Sequence, residues 1–231
     1  GTHVVARAEA AATGHFALMP TAGGCGTPQF GPDRTRVRVV GGSLFVETVA
    51  GERGGELAAT TAVTTIAGST VRELCTAAGC EIGADFSVGH DTPELGDPDT
   101  PISLDSAASD VVGDWYARGQ RASDLAVASI PDAAASVVRH WPEHIDVGAD
   151  LAVEADGPPG ARVNLGAAAG DAAHEEPYLY VGPWGPERPG PPEFWNAGFG
   201  AVLGFGDLDA ADNPLTTAVE FFLTGLAHLR S

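Results

Sequence analysis

Two histidines and a few carboxylates carry most of the chemistry this sequence offers. Glu143, His144 and Asp146 stand close together in the run Arg139-His140-Trp141-Pro142-Glu143-His144-Ile145-Asp146, and His174-Glu175-Glu176 follows later. From Ile145 the odd positions Ile145, Val147, Ala149, Leu151 and Val153 are apolar, while Asp146, Asp150 and Glu154 take even ones. That period of two predicts a half-buried strand. On such a strand His144 and Asp146 project to one side about 7 Å apart, and Glu143 falls on the apolar side. If the strand beginning at Tyr178 lies beside it, His144, Asp146 and His174 supply two imidazoles and a carboxylate. This set suits Zn²⁺, Mn²⁺ or Fe²⁺ with positions open for water or substrate. In the competing reading His144 hydrogen-bonds Asp146 or a backbone carbonyl, and His174 is a loop surface residue.

Glu143 and His144 are the catalytic candidates. A carboxylate on an apolar face must pair, neutralise or work, so Glu143 in a pocket could act as a general acid or base. It could equally pair with Arg139 or Arg162, or anchor a cationic ligand among aromatics. Trp141, Tyr178, Tyr180, Trp184 and Trp195 are the residues expected to line such a pocket, with plain core as their alternative. His140 to His144 also matches the H-x-x-E-H order of some zinc peptidases, but that chemistry needs a helix. Pro142 and the β-period run that follows argue against one. No P-loop, dinucleotide fingerprint or Gly-x-Ser-x-Gly elbow is present, and no lysine exists to form a PLP Schiff base. The expected function is therefore a small-molecule enzyme, with or without the help of a metal, or a non-catalytic small-molecule-binding or structural domain with an aromatic pocket.

The elements that must position these residues follow from the rest of the chain. Residues 2–12 can be helical, and 14–20 read as a strand before a Gly/Pro-rich connection. Arg34 to Val40 alternates, with Arg34, Arg36 and Arg38 on one face, and Gly41-Gly42 signals a hairpin into a strand at 43–49. That arginine row is an anion site or, more simply, a solvated sheet face. Helical spacing of Val63, Ile66, Val71, Leu74, Cys75 and Ala78 predicts a helix over 60–79, stopped by Gly79. Residues 80–88 read as a strand and 90–101 as an acidic, Pro-broken loop. A second helix runs from a cap at Ser103 or Asp105 to about Ser129, with Val111, Val112, Trp115, Tyr116, Ala122, Leu125 and Ala126 on its apolar face. Asp156 to Gly160 turns the central strand back, and 194–205 reads as a strand with a bulge or a close backbone approach. Pro214 opens the last helix. The class this order predicts is α+β, with antiparallel sheets packed by about three main helices. Residues 1–231 are expected to form one domain, organised as a single body or as two lobes at 14–79 and 137–229.

Composition limits the partners. The chain of 231 residues carries 31 acidic and 12 basic residues, a formal charge of -19, so nucleic acid and anionic membrane surfaces are not expected. A small molecule is the expected partner. Three cysteines without a CxxC pair read as reduced thiols. With neither a signal-like start nor a long apolar run, a cytoplasmic chain is expected.

His-Trp-Pro-Glu-His-Ile-Asp at 140–146, Glu-Pro-Tyr-Leu-Tyr-Val-Gly-Pro-Trp at 176–184 and Phe-Trp-Asn at 194–196 resemble an uncharacterised actinobacterial family. The Gly23-to-Phe30 loop and the final Phe-Phe helix fit it too, so the resemblance spans nearly the whole chain. In that family an aromatic usually stands where Ile145 is, and another where Cys25 is; both differences look like packing changes. The element order is also similar to a broader group of bacterial domains of unknown function. The resemblance implies a shared fold and says nothing of chemistry.

Overall fold

Most of the alternating stretches fold as antiparallel strands. The computed structural model describes residues 1–53, 56–83, 86–89, 92–130, 133–154, 161–171 and 174–231. The expected turn at 156–160 and the first two residues of the acidic loop lie outside the described residues. A π-helical turn, Thr2–Ala6, runs into α1 (Arg7–Thr13). Then come β1 (Met19–Thr21), β2 (Gly24–Gly26), β3 (Arg36–Val40), β4 (Ser43–Arg53), β5 (Glu56–Thr65), α2 (Val71–Ala77) and α3 (Ser106–Ala128). β6 (Arg139–Trp141), β7 (Asp146–Ala152), β8 (Arg162–Ala168), β9 (Tyr178–Pro183), β10 (Ala201–Gly204), α4 (Phe205–Asp209) and α5 (Pro214–Leu229) complete the order. The class is α+β, with two antiparallel sheets and several helices. Two compact units divide the chain: residues 1–114 with 140–144, and residues 115–139 with 145–231.

In the first unit the sheet order is β1-β2-β3-β4-β5. Gly41 and Gly42 take positive φ (54° and 76°), as the two-residue hairpin between β3 and β4 requires. Arg38 forks onto Glu47 at 2.7 and 3.0 Å and lies over the Phe45 ring, so this part of the arginine row is a paired sheet face. Arg34, at φ 47°, stands in the turn before the strand. The helix expected over 60–79 is corrected. Thr60 to Thr65 belongs to β5, because this β-branched run pairs along β4, and Val63 is exposed. The helix starts only at Val71, where Thr70 and Glu73 form a capping box, and Gly79 ends it at φ 74°. No strand forms among the described residues of 80–88.

Cys25, Cys75 and Cys80 are buried free thiols. Cys75 donates to the His3 carbonyl at 3.1 Å, inside the core built on Val5, Leu18, Val37, Leu44 and Leu74.

His140 pairs its backbone with Leu18 and is buried, and burial pushes its imidazole down to about 3. The folded unit therefore holds this ring neutral where the unfolded chain protonates it, near 6.5. Stability contributed here is whole above about pH 6.5 and falls on acidification towards the folded value, by up to about 1.4 kcal/mol per pH unit. Urea midpoints measured from pH 7 to pH 4 should fall more steeply for the natural chain than for His140→Gln. Parallel curves would show that the ring titrates as it does in the unfolded chain.

In the second unit β7 to β10 lie in the order β10-β9-β8-β7. Val147, Ala149 and Leu151 face inward beside Ala167, Leu165 and Val163, with Leu179 and Val181 continuing the layer on β9. The period of two is thus kept from Val147 to Val153. It does not extend back to Ile145, which is 53% exposed and has φ 53° in the turn 142–145. α3 and α5 press on the inward layer through glycines. A Cβ on Gly119 would collide with Ala167, and one on Gly225 would meet Val181 at 2.8 Å. Trp115, Tyr116, Ala122 and Ala126 of α3 are buried as expected, whereas Val111 is 54% exposed. Asp105 caps that helix by accepting from the Ala107 and Ala108 amides.

Candidate functional site

Asp146, Gly148, Gly166, Tyr178 and Tyr180 share the face of the second sheet opposite to α3 and α5, because alternate residues of β7, β8 and β9 point there. Gly148, Gly166 and Tyr180 are register partners in turn, and the two glycines make a floor for the Tyr180 ring. A Cβ on Gly166 would stand 2.5 Å from the Tyr180 hydroxyl oxygen, and one on Gly148 2.9 Å from it. Across this floor the Tyr180 hydroxyl donates to the carboxylate of buried Asp146. Tyr178 donates to Asp171 at 2.6 Å, and Asp171 also accepts the His174 backbone amide at 2.8 Å. The His174 ring lies 5.0 Å from Tyr178. The rings of Tyr178, Tyr180 and Phe199 form a triangle with sides of 6.3–6.4 Å.

Burial first, and the adjoining carboxylates second, raise both phenols well above the ordinary tyrosine value. Each therefore stays protonated near neutral pH and is committed as a donor to its own carboxylate. The rings meet largely edge to face, which is how aromatic side chains pack against one another. This cluster orients Asp146 and Asp171, and through Asp171 the His174 backbone.

The structure distributes the other expected site residues differently. Glu143 and His144 belong to the first unit, in the turn after β6, where the His144 amide donates to the Trp141 carbonyl at 3.2 Å. β7 begins only at Asp146, so the two-apart strand geometry assumed for His144 and Asp146 does not hold, and Glu143 has no strand face. Asp146 and His174 belong to the second unit. Among the described residues no group of three or more His, Cys, Asp or Glu side chains is arranged to hold a metal ion. Trp184 is 57% exposed and donates to Asn164 at 2.9 Å beside Arg162. Trp195 donates to the Pro189 carbonyl and packs on Phe194. Trp141 is half-buried in the first unit.

A cavity of about 360 Å³ lies on the helix side of the second unit, away from the tyrosine face. Leu179 of β9, Leu208 of α4 and Ala218 of α5 are its buried apolar walls, and exposed Leu215 stands at its mouth. Arg118 of α3 and Asp209 of α4 bring opposite charges to the same cavity, 4.0 Å apart. Asn213 caps α5 by accepting the Thr216 amide at 3.2 Å, which fixes this wall.

No family model matches the chain, and neither a curated protein nor a solved structure matches it. No described helix is long and apolar enough to cross a membrane.

Sequence reasoning misses the cavity because its lining comes from four elements, two of them a single residue each. Pro214 is legible as a helix start, but Leu208 and Asp209 sit on α4, a helix of five residues hidden behind an aromatic, Gly-rich run. The close approach foreseen in that run is real. Gly200 lies so near the Val181 carbonyl that any Cβ would collide with it.

Proposed function

We propose that the second unit binds a small molecule without transforming it. The observation that carries this reading is the cavity, whose volume of about 360 Å³ falls within the ~300–1,000 Å³ of ligand sites. Its buried aliphatic walls and few polar groups also fit such a site, where apolar contact holds a ligand and sparse charges orient it. The metal-assisted reading of Glu143, His144, Asp146 and His174 has less support. Among the described residues no three such side chains are grouped to hold a metal ion, and the tyrosines expected around it already donate to carboxylates.

The test uses molecules that share one branched aliphatic body: 3-methylbutan-1-ol, 3-methylbutylamine, 4-methylpentanoate and L-leucine. At least one should raise the melting temperature saturably. A ligand present at one hundred times its Kd stabilises by about 2.7 kcal/mol. For a chain of this size that is on the order of 5–10 °C. Leu215→Trp, which obstructs the mouth from an exposed position, should abolish the rise while leaving the unliganded protein folded. If none of the four shifts the natural chain, the binding reading fails.

A further inference from the structure

We infer that the ligand of this cavity is a free α-amino acid with an aliphatic or aromatic side chain. This rests on the binding reading above and adds the chemical class. The walls contributed by Leu179, Leu208, Ala218 and Leu215 call for an apolar body. A volume of about 360 Å³ holds on the order of a dozen water-sized units, enough for a molecule the size of leucine or phenylalanine.

The charges select the head group. Arg118 and Asp209 touch only at 4.0 Å, and their side chains are 54% and 62% exposed. An exposed pair at that separation is worth little, so a ligand can open it at small cost. A simple anion would pair with Arg118 but meet Asp209 close by, in a chain whose formal charge is already -19. A simple cation would pair with Asp209 but meet Arg118. A zwitterion meets neither repulsion: its carboxylate accepts from the guanidinium fork while its ammonium donates to Asp209. The two charged groups of an α-amino acid sit on one carbon, a separation that suits side chains 4.0 Å apart. The N-terminal end of the 16-residue helix α5 borders the cavity and favours the carboxylate further.

Calorimetric titration of the full chain tests the class. The ligands are L-leucine, L-phenylalanine, 4-methylpentanoate (leucine without its amine), 3-methylbutylamine (leucine without its carboxylate) and 3-methylbutan-1-ol. At least one amino acid should bind saturably, with a Kd at least tenfold below that of either single-headed analogue. Arg118→Gln should erase the preference over the amine, and Asp209→Asn the preference over the acid. Both substitutions fall at exposed positions, so folding should survive them. If an analogue or the alcohol binds and neither amino acid does, the zwitterion assignment is overturned while the binding reading stands. Equal binding of leucine to the natural chain and both variants overturns it too. If nothing binds, both fall together.

Discussion

Replacing Trp115 by alanine is expected to destabilise the second unit by about 3–5 kcal/mol, the range for a fully buried aromatic cut back to a methyl group. Trp115 is 2% exposed, and its ring tilts against Phe205 with centroids 5.6 Å apart. Its indole N–H donates to the Ala168 carbonyl at 2.7 Å, at the end of β8. Two contributions are therefore combined, and Trp115→Phe separates them. Phenylalanine keeps most of the apolar contact but removes the donor, which should cost about 1–3 kcal/mol through an unsatisfied buried acceptor together with some lost volume. Urea unfolding followed by circular dichroism reads both values. An alanine variant within about 1 kcal/mol of the natural chain would mean that α3 is not held to β8 through this side chain. Such a result would also remove the fixed wall that carries Arg118 into the cavity.

What the sequence displays and what it hides divide along a physical line. Periodicity reports burial wherever one element faces one layer. Val147, Ala149, Leu151 and Val153 are inward as their alternation predicts, α3 ends one residue before the expected stop, and α5 spans its expected range. Periodicity fails where two patterns fit the same residues. Val63 and Ile66 satisfy helical spacing, yet Thr60 to Thr65 is β-branched and finds a partner strand in β4. It also fails at element ends, where the alternation continues in the letters but the backbone has turned. Ile145 is apolar and in phase, but it sits at φ 53° facing solvent. A larger side chain at this position would therefore meet solvent at a turn and not the core. The tyrosine face was half legible. Asp146 was expected among the polar residues of its strand, but nothing in one strand announces that Tyr180, two strands away, reaches across two glycines to cover it. The cavity was least legible, because a void has no letters of its own.

That covering contact gives the second large expected effect. Gly166→Ala should cost about 2–3 kcal/mol, and Gly166→Val more, although the position lies in a strand where β-branched residues are usually favoured. The added Cβ would stand 2.5 Å from the Val147 carbonyl and 2.5 Å from the Tyr180 hydroxyl oxygen. The carbonyl belongs to the neighbouring strand and cannot withdraw without disturbing the β7–β8 ladder, whereas the ring can swing away only by releasing Asp146. Tyr180→Phe isolates the second consequence. It preserves the ring on its glycine floor and removes one donor from a buried carboxylate, for a loss of about 1–3 kcal/mol. In a double-mutant cycle with Tyr180→Ala, part of the Gly166→Ala penalty should disappear, because one of the two collisions has gone. The part due to the Val147 carbonyl should remain. A coupling of about 0.5–3 kcal/mol is expected for side chains in direct contact. Additive effects within about 0.3 kcal/mol would show that the ring does not rest on Gly166, and the account of how this face holds Asp146 would fall with it.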